Sequence, residues 1–204
     1  EIVAVATSAG RVETGAVICA AGAWSQALAA SAGVALPVEP LRRQIVVTEP
    51  LDDRLAGLFP RRTPMTIDAE TTFYLHREGP GLLLGMSYRS ETPGFDESFS
   101  EAWLPDLLEA MERRAPSLLD VGVAYRWAGL YEVTPDHNAL IGESPDVSRF
   151  LYATGFSGHG FLQGPAVGEV VRDLWLRRPP VVDVSSLSAD RFAAGATVVE
   201  HHIV

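Results

Sequence analysis

Residues Phe150-Leu151-Tyr152-Ala153-Thr154-Gly155-Phe156-Ser157-Gly158-His159-Gly160 decide how the chain is read. Phe150–Ala153 is apolar and aromatic and predicts a strand; Gly155–Gly160 predicts a glycine-rich loop. Pro165 then predicts the first turn of a helix with Val167, Val170, Val171 and Leu174 on one face, stopped by Pro179-Pro180. Strand, glycines and helix N-terminus in that order build a cradle for an anion or polar ligand. Unpaired N–H groups and the positive end of the helix dipole face one point.

Upstream, residues 1–23 predict two strands joined at Ala9-Gly10, with Ala16-Val17-Ile18-Cys19-Ala20 a continuous apolar run of the kind buried on both faces. Ala21-Gly22-Ala23-Trp24 follows, small residues that allow close approach to the backbone, and Ser25 to Ala32 predicts a short helix stopped by Gly33. Pro37 and Pro40 mark the crossing into a region rich in β-branched and aromatic residues. There Gln44–Thr48 predicts a strand, and Thr71–His76 with Leu82–Met86 predicts a hairpin about Gly79-Pro80-Gly81. Ser98 with Glu101 reads as a capping box, and Leu104, Leu107, Leu108 and Met111 as one apolar helix face. Pro105 kinks or restarts that helix and Pro116 ends it. Val123–Tyr131 predicts a strand leading into the turn Thr134-Pro135-Asp136.

A chain of 204 residues, 47% hydrophobic, buries roughly 70% of its unfolded surface and is not disordered. Acidic residues outnumber basic ones 26 to 16, which argues against nucleic acid or an anionic membrane as the main partner. All of the basic residues are Arg; there is no Lys. Cys19 is the only cysteine, so an internal disulfide, a CxxC pair and a four-cysteine metal site are excluded, and a reducing, cytoplasmic setting is expected. No run approaches the ~18 apolar residues of a membrane-spanning helix, and no basic n-region leads into an apolar stretch. Glu1 opens directly on the strand-like Ile2-Val3-Ala4-Val5 without an initiator Met, so the chain is expected to be part of a longer protein.

Three readings compete for the glycine loop. Gly158-x-Gly160-x-x-x-Gly164 imitates a dinucleotide fingerprint, but only 40 of the 204 residues follow Gly164, too few for the rest of a doubly wound domain. Gly155-Phe156-Ser157-Gly158-His159 nearly matches a G-x-S-x-G nucleophile elbow with Ser157 as nucleophile, and Asp183 and His201 follow in α/β-hydrolase order. Ser157 and His201 are, however, only 44 residues apart, and no HGGG-type segment lies upstream. The third reading takes four stretches together: Ala20-Ala21-Gly22-Ala23-Trp24-Ser25, Trp127-Ala128-Gly129-Leu130-Tyr131, Thr134-Pro135-Asp136 and Gly155-Phe156-Ser157-Gly158-His159-Gly160-Phe161. In this order they resemble the D-amino-acid oxidase/sarcosine oxidase (DAO) family of FAD-dependent oxidoreductases, nearest to its sarcosine oxidase β-subunit and dye-linked proline dehydrogenase branch, over nearly the whole chain.

The resemblance implies an α+β fold. Residues 1–39 and 119–204 would be the C-terminal part of an α/β FAD-binding domain, and 40–118 a substrate-binding domain of mixed or antiparallel sheet with helices. The strand–GxGxxG–helix that holds the ADP part of FAD in that family is absent from this chain, so the chain alone is expected to be inactive. Ala21, Gly22 and Trp24 would lie near the nucleotide half of FAD, and Gly158, His159, Gly160, Phe161, Leu162 and Gln163 beside the isoalloxazine ring. The helix starting near Pro165 would aim its positive end at the ring, a stabilisation of up to ~2 kcal/mol for an anionic reduced flavin. The chemistry implied is hydride transfer from the C–N bond of a small amine or amino acid of the sarcosine, proline or glycine kind. Tyr131, Tyr74 and His159 are the implied catalytic-site residues, and Arg42, Arg89 and Arg126 are candidates to hold a substrate carboxylate. Monomeric sarcosine oxidases attach flavin through a Cys at the position of Gly129, so FAD that is non-covalent at that position is implied here. The Lys that follows their G-F-S-G-H-G-F is Leu162, and the absence of Lys favours a dehydrogenase over fast reaction with oxygen. A homo-oligomer or partner subunit fits the same resemblance, and a non-catalytic subunit or binding module of the same fold is the alternative.

Plain packing is the competing reading for some of these residues and for others. Trp24 and Trp127 read as core aromatics, Tyr74 as hairpin packing, Asp136 as a turn residue and Cys19 as a small buried hydrophobe. Glu91, Asp96, Glu97 and Glu101 read as a solvated face, and His201-His202 as a solvated tail with no third ligand for a metal.

Overall fold

The computed structural model describes residues 1–201; His201 is exposed, and His202 lies outside the described residues. The chain forms two compact units, residues 1–40 with 131–201, and residues 41–130. The second boundary falls later than the expected 118/119 because a long strand, β8 (Val123–Val133), carries the chain onward as the edge of the second unit's sheet.

The first unit opens with a hairpin, β1 (Ala4–Thr7) and β2 (Gly10–Glu13), turned at Gly10 with φ +123°. The apolar run that follows is a separate strand, β3 (Val17–Cys19), so the first 23 residues hold three strands rather than two. β3 pairs in parallel with β10 (Phe150–Thr154), Cys19 opposite Tyr152, and β9 (Leu140–Glu143) pairs antiparallel on β10's other side. Strand alternation gives this small mixed sheet two buried faces. Leu140, Phe150 and Tyr152 pack with Cys19 and with Ala29 of α1 (Ser25–Ser31), while Ala139 and Ile141 pack with Phe156 and with Val170 of α4 (Gly160–Trp175). Cys19 is the small buried hydrophobe expected, 1% exposed. α4 starts five residues earlier than Pro165 predicts. His159 already takes a helical φ, and its N–H donates to the Phe156 carbonyl at 3.0 Å, so Pro165 falls inside the helix.

In the second unit β5 (Thr66–Ile67), β6 (Tyr74–Glu78), β7 (Gly81–Gly85) and β4 (Glu39–Thr48) run mutually antiparallel, with β8 beyond β4. β6 and β7 are the predicted hairpin, turned at Gly79-Pro80 with Gly79 at φ +52°. α2 (Asp53–Leu58) is capped by Asp52, whose carboxylate accepts from the Leu55 N–H at 2.7 Å. One face of the sheet is closed by α3 (Leu104–Arg114), where Leu107, Ala110 and Met111 pack with Leu75, Leu82, Leu84, Met86 and Trp103. Leu108 is 48% exposed, so the apolar stripe is narrower than the leucine spacing predicts. The Ser98/Glu101 box does not form: Ser98 N–H donates to Asp96, and Ser100 caps the 3₁₀ turn that precedes α3, accepting from Ala102 N–H. Among the described residues no helix is long and apolar enough to cross a membrane.

The Thr134-Pro135-Asp136 turn is more than a surface turn. Asp136 is 2% exposed and accepts from Arg191 of α5 (Arg191–Ala194) at 2.7 and 2.8 Å. The same guanidinium donates to the carbonyls of Ala139, Leu187, Ser188 and Asn138. Burial pushes the Asp136 pKa up, but the Arg191 hydrogen bonds, the Asn138 N–H and the Arg191 charge outweigh it and hold the carboxyl below its ordinary value. Arg191→Ala strands this carboxylate and is expected to cost about 3–5 kcal/mol in urea unfolding at neutral pH. Because the folded pKa is lowered, the stabilisation from Asp136 ionisation is complete above the ordinary carboxylate pKa of about 3.9 and is lost as pH falls through the lower folded value. Unfolding curves of the parent and of Asp136→Asn should therefore differ at neutral pH and converge in acid.

Candidate functional site

Because β3 and β10 are parallel neighbours, they end together, and the turn after Cys19 emerges beside the loop after Thr154 at the carboxyl end of the sheet. This is where ligands collect in open sheets with parallel strands. Thr154 ties the two segments. Its buried hydroxyl lies 2.7 Å from Ser25 Oγ, 3.0 Å from Glu132 Oε2 and 3.3 Å from the Gly22 carbonyl. The other Glu132 oxygen accepts from the Phe156 N–H at 3.4 Å, and the Glu132 carbonyl accepts from Ser157 N–H at 3.1 Å. Glu132 is the site residue that the sequence reading passes over. Its signal was a lone carboxylate between Tyr131 and Thr134, where two of the quoted motifs nearly meet. Gly22 (φ +55°) and Gly155 (φ +71°) need to be glycine; a Cβ on Gly22 would stand 3.4 Å from Glu132 Oε2, and one on Gly155 would run into Thr134.

Ser157 has the positive φ (+51°) of a strained nucleophile, but its side chain points the wrong way for one. It is fully buried, its hydroxyl donating to the Gly155 carbonyl at 3.3 Å and accepting from Thr134 N–H at 3.4 Å. Asp183 is occupied by the Ser185 N–H, whose hydrogen bond holds its pKa below the ordinary value, and His201 is exposed. The nucleophile reading is thus set aside. So is the dinucleotide fingerprint: its third glycine serves close helix–strand packing, whereas a Cβ on Gly164 would meet open space.

His159 makes no side-chain cap for α4, and the first-turn N–H groups of Gly160, Phe161 and Leu162 have no intrahelical acceptor. Phe161 and Leu162 stand 96% and 86% exposed at this helix start, followed by exposed Gln163, while His159 is half-buried. The Tyr131 ring lies against Gly158 (φ +103°), where a Cβ would stand 2.6 Å from Cε2. Ala21 and Gly22 are half-buried in the turn, and Trp24 is 55% exposed, so it is no core aromatic.

Tyr74 and Gly129 lie in the other unit. Tyr74 alternates with Leu75 on β6, which puts it on the sheet face opposite α3. A Cβ on Gly129 would meet nothing within 4 Å. Trp127 is 45% exposed and stacked on Tyr125 (centroids 5.9 Å apart), so it too is not core. Two of the candidate arginines are occupied. Arg42 donates to both oxygens of Glu91 (3.0 and 3.1 Å), to Asp96 and to the Ser98 carbonyl; the Glu91 hydrogen bonds lead in raising its pKa. Glu91 is accordingly not part of a solvated face, its side chain being 8% exposed. Arg126 pairs with Glu101 and covers Phe99, whereas Arg89 lines a cleft with Asp106, Glu109 and Arg113.

Residues 1–174 match the FAD dependent oxidoreductase family. The chain belongs to this DAO family. It is 34% identical over 95% of its length to FAD-dependent oxidoreductase domain-containing protein 1 of Xenopus laevis, of which it spans 41%. It is 29% identical over 94% of its length to mitochondrial sarcosine dehydrogenase of Mus musculus, of which it spans 21%. Among solved structures, the L-proline dehydrogenase of P. horikoshii superposes with a TM-score of 0.84 at 31% identity, over 95% of this chain and 51% of that one. The glycine oxidase of Geobacillus kaustophilus gives 0.80 at 26% identity, over 92% and 48%. The family implies FAD, and the residues here suit it in kind. N–H donors have no side-chain cap at 160–162, and apolar side chains are exposed at 161 and 162. Thr154→Val would leave Ser25 and Glu132 short of a partner, with an expected loss of about 1–3 kcal/mol in urea unfolding.

Proposed function

We propose that this chain is one part of an enzyme that oxidises the C–N bond of a small amine or amino acid, of the sarcosine, proline or glycine kind, and that it contributes part of the flavin and substrate sites. Residues 1–40 and 131–201 would belong to its FAD-binding domain and 41–130 to its substrate-binding domain. The observation that carries the reading is the knot of the Ala21–Ser25 turn, Glu132 and the Gly155–His159 loop at the carboxyl end of the sheet, running into an uncapped helix.

Bound there, FAD would supply the two-electron acceptor for a hydride leaving the substrate carbon. Ala21, Gly22 and Trp24 would hold its nucleotide half. The N–H groups of Gly160, Phe161 and Leu162, with the positive end of α4, would favour negative charge on the flavin, worth up to ~2 kcal/mol. Phe161, Leu162 and Gln163 would shield it from water. Tyr131 and His159 would orient the substrate from the first unit, the Tyr131 hydroxyl donating to a carboxylate or accepting from an amine, and Tyr74 is the substrate-facing candidate of the second unit. No thioether to flavin forms at the Gly129 position, since Gly129 offers no thiol and Cys19 is buried elsewhere. Leu162 in place of a lysine favours a dehydrogenase where the rest of the protein supplies no lysine to the flavin.

The test uses the full-length protein. Purified, it should absorb near ~450 nm and bleach anaerobically with sarcosine, glycine or L-proline, and acid precipitation should release the flavin to the supernatant. Protein that never takes up flavin would leave a non-catalytic role, and flavin retained in the precipitate would mean covalent attachment at some other position.

A further inference from the structure

Gly85 is the last residue of β7 and is buried in the interior of a sheet, flanked in register by Tyr74 of β6 and Ile45 of β4. Glycine weakens such a position by about 0.5–1 kcal/mol relative to alanine, and it marks close approach by something else. Turn geometry does not demand it, since Gly85 is not among the glycines with positive φ. What fills the missing Cβ direction is the Tyr74 ring. A methyl group on Gly85 would stand 2.5 Å from Cε1 and nearer still to Cζ and the hydroxyl oxygen. Leu75 and Leu84, the next register pair, point into the α3 core, so Tyr74 lies flat across Gly85 on the opposite face.

The same arrangement recurs twice. Tyr152 lies over Gly142, where a Cβ would stand 2.8 Å from its hydroxyl, and Tyr131 lies over Gly158. Tyr152 is a structural instance: it is 1% exposed, and its hydroxyl accepts from Ala189 N–H at 3.0 Å. Tyr74 and Tyr131 are instead half-buried. Gly158 would resist substitution through its backbone alone, at φ +103°, so Gly85 isolates the side-chain effect.

We propose that Gly85 is a positioning residue for substrate size: by letting Tyr74 lie flat, it sets the depth of the space above the sheet. This rests on the reading that Tyr74 faces the amine. An alanine at 85 must lift the ring by at least about 1.3 Å to take Cζ to an ordinary contact of 3.4 Å, and the lifted ring takes up room that a bulky amine needs.

The experiment places Gly85→Ala, Tyr74→Ala and the double variant in the full-length protein. Gly85→Ala should lower the melting temperature by about 5 °C in the parent, yet leave it unchanged or higher in Tyr74→Ala, where the methyl has room. In steady-state kinetics, Gly85→Ala should raise KM for L-proline about tenfold and for glycine by less than about threefold, with kcat held within about twofold. Equal melting shifts in both backgrounds overturn the seat. Coupled melting with an unchanged proline-to-glycine KM ratio overturns the specificity role, as does a parent that oxidises no amine. In that last case the functional reading itself fails, and the melting comparison alone still decides whether the seat exists.

Discussion

The Thr154 hydroxyl is the smallest feature on which the candidate site depends. One buried oxygen meets Ser25, Gly22 and Glu132, and so fixes the turn after β3 and the loop after β10 to each other. Parallel pairing brings the two strand ends side by side, but it leaves the segments beyond them without ladder hydrogen bonds. A buried backbone needs other partners, and here they come from side chains. Glu132 completes the arrangement by accepting from Phe156 with its carboxylate and from Ser157 with its carbonyl.

The end of β8 is thereby held from two sides. Glu132 grips the glycine loop, and four residues later Asp136 is locked by Arg191. Thr134 between them donates its N–H to Ser157 and its hydroxyl to the Asn138 carbonyl. A serine in nucleophile-like context is thus a structural residue, its hydroxyl spent on fixing Thr134. Rigid support of this kind suits a site whose recognition elements are backbone N–H groups, because their aim is only as good as the loop that carries them.

The all-arginine composition has a matching consequence. Arg42, Arg126 and Arg191 each meet at least one carboxylate, and Arg42 and Arg191 are largely buried with several acceptors apiece. A planar fork of donors serves such multidentate sites better than an ammonium would. The net charge of −10 is a surplus of carboxylates, while Arg42 and Arg191 are engaged inside the fold.

The sequence by itself determined the family and the larger elements, because those follow from local pattern, while short pieces such as β9 and α2 went unread. Glycines stand where positive φ is required, apolar runs mark strands, and four motifs recur in one order. The hairpin at Gly79-Pro80 and the short helix from Ser25 were legible for the same reason. Side-chain partnerships across long separations were not. Nothing local pairs Asp136 with Arg191, Glu132 with Thr154, or Arg42 with Glu91, and nothing local turns Ser157 inward or leaves Trp24 and Trp127 exposed. The start of α4 was misplaced because Pro165 is a strong local signal, whereas the true start depends on the Phe156–His159 hydrogen bond within the folded loop. The glycine at 85 makes the division plain. Its presence is a fact of sequence, but the reason for it is a tyrosine eleven residues earlier, laid across it only when the two strands pair.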